Sequence, residues 1–311
     1  MYSLKNKRVL VTGGAGFIGS HTVDALIENE ANVVVIDNLL TGRESNLNPK
    51  AKFYKLNINS STLEMILEKE KPQIVYHFAF FVLVPKSTEN PILDLDCLNG
   101  SVRMLKKLAE LKTVEKFLFA SSGFVYGNNS KLPLKETEPV EALSSYAISK
   151  ITIENYLKFF NKVFGIPYVI LRYATVYGPR QITGALADYI RKLSNNQPAE
   201  IYGDGTKTRD YVYIDDVVKA NLLALNLSGN IKEPIFNIGT SKETTLNEVY
   251  TKIAILLGKD IKPIYYPDRA AEQIKYSLNY SKIKKELNWS PKINLDEGLK
   301  KWIDTVHISA L

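Results

Sequence analysis

The chain has 311 residues and a single cysteine, Cys97. One thiol cannot form a disulfide within the chain, which fits a reducing compartment. No apolar run approaches the roughly 18 residues that a membrane-spanning helix needs, and no signal-peptide pattern precedes the first strand pattern. A soluble cytoplasmic protein is therefore expected. There is no internal repeat and no low-complexity tract. Nor is either sign of charge segregated. The 40 Lys and Arg residues are interleaved with 33 Asp and Glu residues, so most of them read as a solvated surface. The net charge of +7 suits anionic ligands, phosphorylated ones included, without implying a nucleic-acid partner. What is present is ordinary for a folded protein. Hydrophobic residues make up 45% and charged residues 23%, which supports a packed core and argues against disorder.

Short β-branched runs alternate with helical patterns along the first half. Strands are predicted at 8–12, 32–37, 52–57, 73–78, 116–121 and 168–173, and helices at 17–29, 61–69, 93–111 and 145–163. This alternation predicts an α/β fold, a doubly wound parallel sheet of the Rossmann type with helices on both faces. The pattern changes after Tyr177. A helix is predicted at 184–194, a Gly/Asp-rich segment at 202–210, a helix at 212–224 and a strand at 235–238, followed by short helices and Pro-rich turns. Residues 1–176 thus read as the sheet domain, with 212–240 returning to it. Residues 177–311 read mainly as a smaller, partly interleaved C-terminal region over the sheet's carboxyl edge.

The first strand runs into Thr12-Gly13-Gly14-Ala15-Gly16-Phe17-Ile18-Gly19. Gly13 permits a tight turn, Gly16 lets backbone N–H groups approach a pyrophosphate, and Gly19 lets helix and strand pack closely. The helix N-terminus then faces the phosphates. An ordinary glycine turn fits the triplet alone, but its place between a strand and a helix favours dinucleotide binding. Asp37 ends the second strand, where an acid bonds adenosine ribose hydroxyls and repels a 2′-phosphate, favouring NAD over NADP. Asp37-Asn38 also fits a simple turn start, and Arg43 nearby softens the exclusion of NADP.

Tyr146 and Lys150 stand four apart on a predicted helix and share one face. A nearby ammonium stabilises a phenolate and lowers a tyrosine's pKa, so that it can take a proton while a hydride leaves to nicotinamide. The spacing alone says little, since Tyr280 and Lys284 share it. Context separates the pairs. Ser121-Ser122-Gly123-Phe124 ends a strand at the edge where doubly wound folds bind ligands, and Ser122 can bond the same hydroxyl. A strand-end turn is the alternative reading of that serine pair.

Six segments together resemble the extended short-chain dehydrogenase/reductase family, in its branch that epimerises nucleotide sugars. They are 12–19, 121–127 (S-S-G-F-V-Y-G), Tyr146 with Lys150, 171–181 (L-R-Y-A-T-V-Y-G-P-R-Q), 201–216 (I-Y-G-D-G-T-K-T-R-D-Y-V-Y-I-D-D) and 236–240 (F-N-I-G-T). The resemblance runs nearly end to end. It implies that Tyr146 removes the sugar 4-hydroxyl proton, that Lys150 bonds the nicotinamide ribose and tunes Tyr146, and that Ser122 orients the sugar. It implies NAD as a resident hydride carrier, held by Gly13, Gly16, Phe17, Ile18, Gly19, Asp37, Asn38, Asn57, Ile58, Phe78, Ala79, Tyr146, Lys150 and Tyr173. It assigns the later residues to nucleotide-sugar binding. Arg209 and Arg269 match positions that clamp the diphosphate, for which guanidinium forks are suited, although exposed arginines would look the same. Thr175 stands near the diphosphate, Glu272 near the second arginine, and Tyr276 where bulk limits the sugar C2 substituent. That bulk favours UDP-glucose and UDP-galactose over N-acetylated sugars. A homodimer through 93–111 and 145–163 is also implied. No metal is expected.

Several positions depart from the family pattern. Asn57 replaces a frequent Asp, Cys97 a frequent Asn read here as packing, and Thr175 a usual Asn. The segment after Gln181 is short. Phe80-Phe81-Val82 put apolar bulk where small or polar residues are usual. Gly123 and Phe124 cannot move a proton, unlike the acids that related dehydratases and decarboxylases carry there, so epimerisation remains the reading. The alternatives are an epimerase for uronates or N-acetylhexosamines and, from another class, a non-catalytic dinucleotide sensor. The presence of Ser122, Tyr146 and Lys150 argues against the sensor.

Overall fold

The computed structural model describes residues 2–81, 84–129, 131–227, 231–269 and 273–309. The first half runs β1 (Arg8–Thr12), α1 (Phe17–Glu28), β2 (Asn32–Asp37), β3 (Lys52–Lys55), α2 (Thr62–Glu70), β4 (Ile74–His77), α3 (Val84–Glu89), α4 (Ile92–Leu111), β5 (Lys116–Ser122), α5 (Ser145–Phe164) and β6 (Tyr168–Tyr173). The second runs β7 (Thr175–Tyr177), α6 (Ala185–Ser194), β8 (Glu200–Tyr202), β9 (Thr208–Arg209), β10 (Tyr211–Tyr213), α7 (Ile214–Leu223), β11 (Ile235–Ile238), β12 (Thr244–Thr245), α8 (Leu246–Leu256), β13 (Ile264–Tyr266), α9 (Ser281–Leu287) and α10 (Leu295–Ser309).

Seven strands form one parallel sheet in the order β3-β2-β1-β4-β5-β6-β11. Alternate residues of its strands enter different cores. Val9 and Val11 of β1 pack with α1 and the later elements, while Leu10 packs with Met104, Leu105, Ile153 and Leu157 of α4 and α5. Such two-sided burial is why these strands are continuous apolar runs. Helix ends are set locally. Ser144 caps α5 by accepting from the Ala147 N–H at 3.2 Å, and Gly165 ends it at φ +73°. Thr245 and Glu248 form a capping box on α8.

The strand order reverses between β1 and β4. At such a switch point the loops leaving the carboxyl ends diverge and open a crevice. The glycine loop after β1, Asp37 on β2, Phe78 after β4, Ser122 on β5 and Tyr173 on β6 all stand on that edge.

Two predicted boundaries are corrected. Residues 212–224 were expected to be helical throughout, but Tyr211–Tyr213 is a strand paired in parallel with Thr175–Tyr177. The helix begins at Ile214, where Asp215 and Asp216 occupy its first turn and suit the positive end of the dipole. The predicted strand at 52–57 ends at Lys55, although the Leu56 N–H still bonds the Asp37 carbonyl at 3.0 Å. Among the described residues no helix is long and apolar enough to cross a membrane.

Candidate active site

The glycine loop has the geometry of an anion cradle. Gly13 has φ +73°, and a Cβ there would lie 2.7 Å from the Ala79 nitrogen. A Cβ on Gly19 would lie 2.1 Å from the Gly13 carbonyl oxygen, so only glycine lets α1 start this close to the loop. Gly16 offers no side-chain cap, and no acid stands in the first turn of α1. The dipole end and its N–H groups therefore face the crevice without a side-chain anion of their own. The buried Asp37 accepts from the Ala15 N–H at 3.0 Å and the Leu39 N–H at 2.8 Å, one bond per oxygen. It braces the loop and keeps lone pairs for a further donor. These residues fit a dinucleotide diphosphate.

The neighbouring strand ends complete the wall. The Phe78 N–H bonds the Thr12 carbonyl at 3.0 Å, and the Phe78 ring stacks on Tyr76 at 6.0 Å. Asn38 and Asn57 turn their side-chain oxygens to the Leu40 and Asn59 N–H groups, while Ile58 is buried against Gly100. His77 is fully buried between the Thr12 and Ser101 hydroxyls, at 2.7 and 2.8 Å. Burial draws its ring down to about 3, with the Lys150 charge adding to the effect, so it is neutral.

Ser122, Tyr146 and Lys150 converge at the end of β5. Burial pushes the Tyr146 phenol up to about 12, against a hydrogen bond with Ser122 and together with the Asp94 charge. Lys150 is 2% exposed, and its ammonium donates to the Ala120 carbonyl at 2.7 Å. It lies 3.7 Å above the Phe80 ring and 5.4 Å from the Tyr146 ring centre. Burial draws it down to about 7, with Cys97, Asp94 and Glu154 opposing. The expected lowering of Tyr146 by Lys150 is therefore corrected for the chain by itself. Desolvation dominates at the phenol, while the ammonium donates to a carbonyl and lies over an aromatic face.

Phe80 and Phe81 are both buried, and Phe80 supplies that aromatic face; Val82 lies outside the described residues. Cys97 is half-buried in the α4 packing, as expected.

The wall beside Tyr146 is aromatic. Tyr276 is 1% exposed, stacks on Phe124 at 6.1 Å and donates its hydroxyl to the Tyr173 carbonyl at 3.1 Å. A Cβ on Gly123 would lie 2.3 Å from the Tyr276 ring, so glycine there is what lets the ring in. Phe124 also meets Tyr146 edge-on at 6.5 Å. Tyr173 bonds the Asn221 side chain at 2.7 Å. The Thr175 N–H bonds the Asp210 carbonyl. Arg209 is held by the Thr208 and Gln273 carbonyls at 2.7 and 2.9 Å, while Arg269 is exposed and stacks on Tyr202 at 3.5 Å. Glu272 lies outside the described residues.

Residues 9–239 match the NAD dependent epimerase/dehydratase family. The chain belongs to that family. Its cofactor is NAD, and its general activity is that of an NAD-dependent nucleotide-sugar epimerase. It is similar to the UDP-glucose 4-epimerase of Thermotoga maritima, solved with UDP-glucose. Identity is 41% over 97% of this chain and 99% of that one, with a TM-score of 0.93. It is 35% identical to the UDP-glucose 4-epimerase of Mycolicibacterium smegmatis, over 96% of this chain and 97% of that protein. It also resembles the UDP-N-acetylglucosamine 4-epimerase of Methanobrevibacter ruminantium, solved with UDP-N-acetylmuramic acid. There identity is 32% over 99% of this chain and 100% of the other, with a TM-score of 0.90.

Sequence reasoning missed two buried groups beside the site. Glu154 takes a two-pronged bond from Arg172, at 3.0 and 2.6 Å, and accepts from Ser121 at 2.5 Å. Its spacing, four residues after Lys150, was the available signal. Asp94 is buried in the first turn of α4. An acid in a predicted first turn reads as a dipole partner, so nothing in the sequence marked it.

Proposed function

We propose that the chain interconverts UDP-glucose and UDP-galactose through a 4-keto sugar. The observation that carries this reading is the convergence of Ser122, Tyr146 and Lys150 beside a wall in which Tyr276 fills the space above Gly123. Tyr146 takes the sugar 4-hydroxyl proton and later returns it. Ser122 holds the same hydroxyl, and Lys150 supplies positive charge next to the phenol. NAD, when bound, supplies the hydride acceptor and donor, so no net oxidant is needed. Gly13, Gly16, Phe17, Ile18 and Gly19 would hold its diphosphate, and Asp37 and Asn38 its ribose. Asn57, Ile58, Phe78, Ala79 and Tyr173 would line it, with Tyr146 and Lys150 toward the nicotinamide end. Arg209 and Arg269, with Thr175, would hold the sugar-nucleotide diphosphate. The sheet region, 1–176 with 212–240, is then the cofactor domain, and 177–311 mainly the sugar-nucleotide region. Tyr276 disfavours a bulky C2 substituent because its ring is anchored at both edges, by Phe124 and by the Tyr173 carbonyl.

The test is Tyr146→Phe with UDP-glucose and UDP-N-acetylglucosamine as substrates. A fall of about 10²–10⁴-fold in UDP-glucose turnover is expected, the range for losing a positioned acid–base group. Near wild-type turnover would reject the mechanism, and comparable turnover of the N-acetylated sugar by the unmodified chain would reject the sugar. Two copies pair through α4 and α5, whose Leu95, Ile148, Phe159 and Val163 are about half exposed beside a groove lined by Leu98, Val102 and Tyr156. A monomer by light scattering would refute the pairing.

A further inference from the structure

Phe80 follows β4 and is 9% exposed. Its ring belongs to an aromatic cluster. It meets Phe119 of β5 edge-on at 5.9 Å and the His77 ring edge-on at 5.9 Å, and His77 stacks on Phe119 at 5.7 Å. His77 is itself pinned between the Thr12 and Ser101 hydroxyls. Packing therefore fixes the Phe80 ring before any ligand binds. On its face sits the Lys150 ammonium, with Nζ 3.7 Å from the ring centre. That is well inside the roughly 6 Å reach of a cation–π contact. It is also closer than the rings of Phe119 and Tyr146, at 4.9 and 5.4 Å.

The rest of the surroundings make this contact count. An ammonium has three N–H groups and no acceptor. One goes to the Ala120 carbonyl at 2.7 Å, and the Phe80 face takes a second direction. The titratable groups that face Lys150 are His77 from β4, Asp94 and Cys97 from α4, and Tyr146 and Glu154 from its own helix; β5 brings only Phe119 and the Ala120 carbonyl. Glu154 is taken by the Arg172 fork, and Asp94 accepts from Ser87 and Ser145. His77 is neutral, and burial pushes the Cys97 thiol up. Among the described residues no carboxylate oxygen lies within 4.0 Å of Nζ. Lys150 is 2% exposed, so water does not compete for the ammonium, and a cation–π contact is worth most in such a dry place.

We propose that Phe80 is a positioning residue for the reaction: its ring face is the seat that holds the Lys150 side chain, in its charged form, beside Tyr146. A leucine in its place keeps the site dry but offers no negative face. Lys150 then gives up its proton at a lower pH and is no longer pinned next to the phenol. The small or polar residues usual at this position have no ring face to offer, so the seat belongs to this chain and not to the family pattern. The role in proton transfer rests on the catalytic reading of Tyr146 and Lys150; the contact itself does not.

The test separates the ring face from mere bulk. Lysine side chains are followed by ¹³C NMR over pH 5–10, at equal NAD occupancy in every protein, Lys150 being assigned by its loss in Lys150→Met. Phe80→Leu keeps an apolar side chain over the lysine and removes the face. The Lys150 midpoint, about 7 in the unmodified chain, is expected to fall by about one pH unit, the size of a desolvated cation–π contact. Phe80→Tyr keeps the face and should leave the midpoint where it is. With UDP-glucose as substrate, the alkaline limb of the kcat profile should move down in Phe80→Leu and stay in Phe80→Tyr. If Phe80→Leu does not fold, Phe80→Met carries the same comparison. An unmoved or raised midpoint in the variant without a ring would make Phe80 a filler that only keeps water out, and would overturn the proposal. A fallen midpoint in a chain that turns over no UDP-sugar would leave the seat standing and reject the catalytic reading alone.

Discussion

Gly123→Ala tests whether the aromatic wall beside Tyr146 is built as described. The new Cβ would lie 2.3 Å from the Tyr276 ring and 2.6 Å from its hydroxyl oxygen, far inside van der Waals contact. The ring cannot yield cheaply, because it is 1% exposed, stacked on Phe124 and bonded to the Tyr173 carbonyl. Overpacking of this kind costs about 1–3 kcal/mol. Tyr276→Ser alone removes a buried ring and should cost about 3–5 kcal/mol, the range for deleting a core aromatic. In the double variant the Cβ points into the space the ring left, so the clash is gone and part of the cavity is filled. The two costs should then fall short of their sum by about 1–3 kcal/mol, a coupling readable in a double-mutant cycle. Urea unfolding of the four proteins, with equal m-values, measures it. Tyr276→Ser should also raise turnover of UDP-N-acetylglucosamine relative to UDP-glucose. Costs that add to within about 0.5 kcal/mol would refute the claim that the methyl and the ring compete for one space.

Two further outcomes follow from the buried charges. The Lys150 ammonium is drawn down to about 7 in the fold, against roughly 10.4 in an unfolded chain. A depressed folded value means that the charge penalty is full below about pH 7 and fades as pH rises toward 10.4. Lys150→Met should therefore stabilise the chain at pH 6 by at least about 1 kcal/mol more than at pH 10, and a pH-independent effect in urea unfolding would contradict this. Glu154→Gln leaves the Arg172 guanidinium buried without its anion and should destabilise by about 3–5 kcal/mol, whereas a loss below about 1 kcal/mol would mean that Arg172 finds another partner.

Much of the site was legible because its chemistry is local in the chain. Gly13, Gly16 and Gly19 are constrained by one turn, and Tyr146 and Lys150 by one helical face. The reading failed where neighbours come from afar. The lysine four residues away does not set the state of Tyr146 by itself, because burial, with Phe124 edge-on to its ring, comes from elsewhere in the chain. Val212 and Tyr213 of the strand at Tyr211–Tyr213 were read as helix because its pairing partner, Thr175–Tyr177, lies more than thirty residues earlier.

By itself the sequence determined the doubly wound sheet and the glycine loop, and it marked the side chains proposed to react. Those follow from residue type, periodicity and short spacing, which a chain carries without folding. Only the tertiary structure decided what surrounds them. It put Tyr276 into the space that Gly123 leaves, laid Phe80 over Lys150, and buried Asp94 against Ser87 and Ser145. Each of these brings together residues far apart in sequence, and their energies come from desolvation and contact, which exist only once the chain has packed.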